Sequence, residues 1–192
     1  MATPTLPRRR HGRARCAAWL LLALAGVAPA MAEVEKNAVS GAQGIELFWW
    51  PKLAAVDGWD QDRAASLQYG ANLLVPRGKS FGEAEAVIYG KALYKPRAPQ
   101  IATLAELMER DRKAYGGQAG GSVVHESARL YTADARPLAC LIFEPTSGGN
   151  WERVCYLEEG DYYLLFTLSS RSRTGFESSM KTFVAVLAAY RQ

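Results

Sequence analysis

Tyr162-Tyr163-Leu164-Leu165-Phe166-Thr167-Leu168-Ser169 is the stretch that decides the fold. Residues alternate sides along a β-strand, and here both sides are apolar: Tyr162, Leu164, Phe166 and Leu168 on one, Tyr163 and Leu165 on the other. A strand with one wet face would alternate apolar and polar residues. This one reads as a central strand covered on both faces.

The neighbouring elements follow from it. Downstream, a helix is expected from about Gly175 to Arg191, opened by a capping box at Thr174-Gly175-Phe176-Glu177. Its apolar stripe is Phe176, Met180, Phe183, Val184 and Leu187. Upstream, Glu158-Glu159-Gly160-Asp161 is a turn. Trp151 to Leu157 is a strand, Pro145 to Asn150 a turn-rich loop, Pro137 to Glu144 a strand, and Val123 to Tyr131 another. Connections this short leave no room for parallel crossovers, so the strands pair antiparallel. Before them, Thr103-Leu104-Ala105-Glu106 is a capping box that starts a helix ending at Gly116-Gly117. Leu104, Leu107, Met108 and Tyr115 form its buried stripe, with Glu106/Arg110 and Glu109/Lys113 as i,i+4 pairs. Ala84 to Tyr94 reads as a strand, and Leu67 to Val75 as one with a bulge at Gly70. Ile45 to Pro51 is an aromatic-rich extended stretch, and Asp57-Gly58-Trp59 a turn that delivers a tryptophan to the core. Residues 33–44 are expected to be a flexible N-terminus. The fold class is α+β, a mostly antiparallel sheet with helices packed on its faces, forming one domain over 45–192.

Residues 1–32 read as a signal peptide. Arg8, Arg9, Arg10, Arg13 and Arg15 precede an apolar run of about a dozen residues, short of the ~20 that span a bilayer. Ala30-Met31-Ala32 supplies small residues for cleavage near Ala32. The expected location is periplasmic or secreted, without stable membrane insertion. Taking these five arginines from the 23 basic residues leaves 18 against 19 acidic ones, a net charge near −1. Nothing in that balance calls for nucleic acid as a partner.

Cys16 leaves with the leader, and Cys140 and Cys155 remain as an even pair in an oxidising compartment. With the hairpin loop centred on Ser147-Gly148, the two cysteines face each other on opposite arms. Directly opposed residues have Cα atoms ~4.5 Å apart, within reach of a disulfide. The alternative is a pair of buried thiols packing as small hydrophobes.

Catalytic chemistry has few anchors. His125 is the one histidine after the leader and shares a strand face with Ser127 and Arg129. No companion ligands stand at metal-site spacing, and no Gly-x-Ser-x-Gly elbow is present. Gly116 to Gly121 follows a helix and opens a strand, the reverse of a phosphate loop. Glu158, Glu159 and Asp161 are too few for a calcium site. No catalytic residue, metal or cofactor is therefore assigned. The aromatics are more informative. Adjacent Trp49 and Trp50 on an extended segment point to opposite sides. One of them exposed beside Lys95 and Arg97 would mark a binding surface, made of Trp49, Trp50, Lys95 and Arg97. The alternative is that the tryptophans complete the core.

Several pieces resemble the PsbP-like fold group and, within it, small exported bacterial proteins. They are Trp50-Pro51 with Gly58-Trp59, Asn72 to Pro76, Leu104 to Leu107, Trp151 to Val154, and Tyr162 to Ser170 before a helix ending in Tyr190. The resemblance implies an α/β/α sandwich around an antiparallel sheet. It brings no catalytic residue onto this chain. Its photosynthetic members act as accessory proteins on larger assemblies. The expected function is thus an exported, non-enzymatic accessory or binding protein, its partner an envelope protein or a small ligand. The competing expectation is a periplasmic hydrolase whose carboxylates, among Glu83, Glu85, Asp111 and Glu144, meet only in the fold.

Overall fold

Tyr162–Ser170 (β9) lies fourth of seven along the main path of the sheet, hydrogen-bonded on both edges. The computed structural model describes residues 34–41, 44–117 and 121–191, so the expected leader lies outside the described residues. The other strands are β1 (Val34–Gly41), β2 (Gly44–Pro51), β3 (Trp59–Gln61), β4 (Asn72–Pro76), β5 (Ala86–Tyr94), β6 (Ser122–Tyr131), β7 (Pro137–Pro145) and β8 (Trp151–Glu159). Their order is β1-β2-β5-β9-β8-β7-β6, with β4 also on β5 and β3 on β4, every pair antiparallel. The helices are α1 (Arg63–Tyr69), α2 (Leu104–Gly116) and α3 (Arg173–Ala189). This is the expected α+β class.

The two faces of β9 feed two cores. Leu164, Phe166 and Leu168 pack with Phe176, Phe183, Val186 and Leu187 of α3. Tyr163, with half-buried Leu165 beside it, packs with Ile101 before α2 and Leu107 within it. Helices thus cover opposite faces of one sheet. Leu164 is 0% exposed. Arg136 and the Tyr190 hydroxyl (3.0 Å) both bond Glu159 Oε2, which is buried, tying the end of α3 to β8.

Cys140 and Cys155 are direct cross-strand partners on β7 and β8, 4.1 Å apart at Cα, and are joined by a disulfide. Both belong to the α3-side core. Next to them, β6 shifts register between Ser127 and Leu130, and the carbonyl of Ala128 in that bulge accepts from buried Arg153 at 2.9 Å.

Three local expectations are corrected. Val34–Gly41, expected to be flexible, pairs along its whole length with β2. Leu67 to Val75 is not one bulged strand. Asp62 caps α1 by accepting from the Ala65 amide at 3.0 Å, and Gly70 ends that helix at φ 60° before β4 begins. A Cβ on Gly70 would stand 2.5 Å from the Phe48 ring, so position 70 needs glycine for contact as well as conformation. The cap of α3 is Ser172, whose hydroxyl accepts from the Gly175 amide. The helix therefore starts earlier than Thr174 indicates, and Glu177 pairs instead with Arg173 at 2.8 Å. The Thr103/Glu106 box on α2 forms as expected.

Replacing both Cys140 and Cys155 by serine should lower unfolding free energy by about 3 kcal/mol. Urea titration with and without dithiothreitol checks this, because reductant should bring the parent protein down to the variant and leave the variant unmoved.

Candidate functional site

On the α2 face, the rows of side chains across β5, β9 and β8 change character along the strands. Near α2 the surface is apolar: Leu141, Phe143, Val154 and Tyr156 sit under Leu107. Farther along, register places Val87, Ser169 and Glu152 side by side, with Tyr89 and Thr167 in the next row. This polar floor opens to a cavity of about 280 Å³ between Tyr69 at the end of α1, Phe81 in the β4–β5 connection and Asn150 in the loop before β8. Glu85, Lys91 and Arg171, all exposed, also line it. Asp62 braces one wall, capping α1 through Oδ1 while Oδ2 accepts from the Phe81 amide at 3.0 Å. Those amide bonds hold its carboxyl below the usual range.

Glu152 is the unusual member of the floor. It is 8% exposed, and its Oε2 is buried without a hydrogen-bond partner. It also lines a second opening, with Tyr115 and Asn150. Among the described residues no Lys, Arg or His forms an ion pair with it. Its neighbours are hydroxyls. Burial, and then the charge of Glu152, push the hydroxyls of Tyr89 and Tyr115 above their ordinary pKa. Asp111 on α2 accepts from the Tyr156 hydroxyl at 2.9 Å, and burial raises its carboxyl pKa as well. Asn150 donates to the Ser169 hydroxyl at 3.0 Å.

The four residues expected to form a binding surface divide into two pairs. Trp49 is half-buried, stacked on Tyr94 at 5.2 Å, with the Arg97 guanidinium 4.8 Å from its ring centroid. These two line a groove of about 360 Å³ with Phe48, Leu93, Leu107 and Leu165. Lys91 lines both the groove and the Glu152 cavity, so the two adjoin along β5. Trp50 and Lys95 are the corrections. Trp50 is 0% exposed, in the core with Arg63 over its ring. The Lys95 ammonium is bound at 2.6 Å to both Glu158 and the Gly160 carbonyl, fastening the end of β5 to the β8–β9 turn.

The other sequence candidates stay apart. His125 is exposed, 3.7 Å from Glu144. Glu83 accepts from Ser80. Of the four carboxylates named for a hydrolase, Glu85 alone lines the Glu152 cavity. Among the described residues no group of three or more His, Cys, Asp or Glu is placed to hold a metal. Glu152 itself was not singled out from the sequence. The available signal was Glu152-Arg153, two adjacent charges inside a strand paired on both edges, where one charge must face each covered side.

The class defined by these features is an α+β protein whose antiparallel sheet carries helices on both faces, with a polar cleft left open on one of them. No family model and no curated protein matches the chain. Among solved structures it is similar to the solution structure of cyanobacterial PsbP (CyanoP) from Synechocystis sp. PCC 6803. That match has 14% identity and a TM-score of 0.40, and covers 86% of this chain and 95% of that one. It is the weak PsbP-like fold resemblance expected from the sequence.

Trp50→Ala should cost about 3–5 kcal/mol in urea unfolding, as an emptied core site does, whereas Trp49→Ala should cost about 1 kcal/mol or less. Asp111 gives a pH signature. Its folded pKa is raised above the unfolded value, so its stabilising contribution is complete below the unfolded pKa and is lost as pH rises through the folded one. Asp111→Asn cannot ionise, keeps an acceptor for Tyr156, and should lack that loss when melting temperature is followed upward from pH 4.

Proposed function

We propose that this chain is an exported, non-enzymatic binding protein that takes a small ligand in the cleft above Val87, Ser169 and Glu152. The observation that carries this reading is Glu152, a nine-tenths buried carboxylate that lines an open cavity and has one oxygen without a hydrogen-bond partner. Buried polar groups are ordinarily hydrogen-bonded, and an exception beside a cavity calls for a partner that the cavity can admit. The adjoining Trp49–Arg97 groove extends the cleft with an apolar, cation-rimmed surface fit for the rest of a ligand or for a partner protein. Export is supported by the arginine-rich leader with its Ala30-Met31-Ala32 exit, and by the Cys140–Cys155 disulfide, a bond kept in oxidising compartments. No helix among the described residues is long and apolar enough to cross a membrane.

The hydrolase reading has one observation in its favour: Glu85 and Glu152 line the same cavity. One experiment separates the two readings. The purified protein is incubated with the low-molecular-weight fraction of an envelope extract, desalted, and weighed by native mass spectrometry. An adduct is expected on the parent protein and not on Lys91→Glu/Arg171→Glu, two exposed changes at the cleft. A binding protein releases the compound unchanged. Release of fragments carrying an added water would establish the hydrolase instead.

A further inference from the structure

The charge pattern of the cleft specifies what it binds. We infer that the ligand is a small zwitterion, its protonated amine against Glu152 and its anionic end toward Lys91 and Arg171. This inference rests on the cleft being the binding site.

Four features converge. The first is the charge deficit on the floor. Glu152 is nine-tenths buried, has no cation in ion-pair contact among the described residues, and keeps Oε2 without a partner. Tyr115 hydrogen-bonds to Glu152, but a neutral hydroxyl does not balance a carboxylate's charge, and a buried carboxylate is costly until a cation reaches it. An ammonium group supplies the charge and up to three donors. The second is the surrounding chemistry. Groups near Glu152 are the tyrosine hydroxyls of Tyr89 and Tyr115, which are neutral when protonated and bring no positive charge to it. The third is the wall. Tyr69 and Phe81, with ring centroids 4.7 Å apart, line the cavity together with Tyr89. Aromatic faces attract cations. The fourth is the mouth. Lys91 and Arg171 are the exposed cations lining the cleft, and the Arg171 guanidinium is steadied by the Gly82 carbonyl at 2.7 Å. Exposed Glu85 also lines the cleft, so the two cations exceed it by one charge, and a ligand with its own anion is better matched at that end than a bare cation.

Size narrows the class further. A cavity of about 280 Å³ is at the bottom of the ~300–1,000 Å³ range of ligand pockets, which favours an amino-acid-sized molecule over a nucleotide or a peptide. A metal ion would find two carboxylates, Glu85 and Glu152, among neutral hydroxyls, and among the described residues no group of three or more His, Cys, Asp or Glu is placed to hold one.

The test uses calorimetric titration of the full exported chain with four probes: 4-aminobutyrate and glycine as zwitterions, ethanolamine as a cation, and butyrate as an anion. At least one zwitterion should bind more tightly than both single-charge probes, and its N-acetyl derivative, which lacks the ammonium, should not bind. Glu152→Gln should weaken zwitterion binding by about tenfold or more, the scale of a lost charge-assisted hydrogen bond, at a melting temperature no lower than the parent's. Lys91→Glu/Arg171→Glu should weaken it too. Butyrate binding best, an N-acetyl derivative binding as well as its parent, or Glu152→Gln binding the zwitterion undiminished would each overturn the proposal. The acetylation comparison needs no variant, so it decides even if Glu152→Gln does not fold. The failures are distinguishable. If an envelope compound still binds in a manner that Lys91→Glu/Arg171→Glu abolishes while every zwitterion fails, the cleft stands as the site and its ligand class is wrong. If nothing binds in either experiment, the cleft itself is not the site.

Discussion

Burial of β9 on both faces is the constraint on which the rest of the molecule depends. A strand whose even side carries Leu164, Phe166 and Leu168, and whose odd side carries Tyr163 and Leu165, must be covered twice. The chain meets this demand with α3 on one face and α2 on the other. It also meets it laterally, with β5 on one edge and β8 on the other, so that the backbone of β9 is paired on both sides. The Cys140–Cys155 bridge is set into the α3-side core, where it joins β7 to β8 beneath the helix.

The two faces are not treated alike. α3 is the longest helix among the described residues, and its core runs the length of the strands from Leu168 to Leu164 and Tyr190. On the opposite face α2 covers the apolar end, and α1 lies out on β4. The β5–β9–β8 floor between them carries serine, threonine, tyrosine and glutamate in place of leucine. A polar floor would destabilise a closed core. It is tolerable here because the cleft above it is open. The fork of the sheet has a related effect. β5 pairs with β4 over Ile88–Gly90 and meets β2 at Ala92, and Pro51 fits against the bare Cα of Gly90 where the two diverge. That divergence sets the Trp49 groove beside the Glu152 cleft.

Legibility differed element by element for physical reasons. The central strand, the α2 capping box and the Cys140/Cys155 register were readable because each depends on short-range pattern: alternation, a three-residue spacing, and equal distances from a turn centre. Helix α1 was missed. Its seven residues are too short for a periodicity to emerge, and its β-branched-free, Asp62-capped start was hidden by the strand that follows directly after Gly70. The start of α3 was placed late because Thr174-x-x-Glu177 satisfies the capping-box pattern as well as Ser172 does, and only the actual path of the chain selects the serine. β1 reads as flexible because a polar, small-residue segment has no amphipathic signal of its own. It becomes a strand by pairing with β2.

By itself the sequence determined the α+β class, the antiparallel second half, the doubly covered strand and the cysteine pairing, since all of these follow from local periodicity and turn spacing. It also set Trp49 beside Arg97, two residues that line one groove. Tertiary structure alone decided which tryptophan is buried, that Lys95 is consumed by Glu158 and Gly160, and that Glu152 faces an open cleft. The reason is that a side chain's role depends on what is packed against its face from distant parts of the chain. Glu152 and Tyr89 lie in adjacent rows of one floor because three strands far apart in sequence share a register, and no local pattern records that meeting.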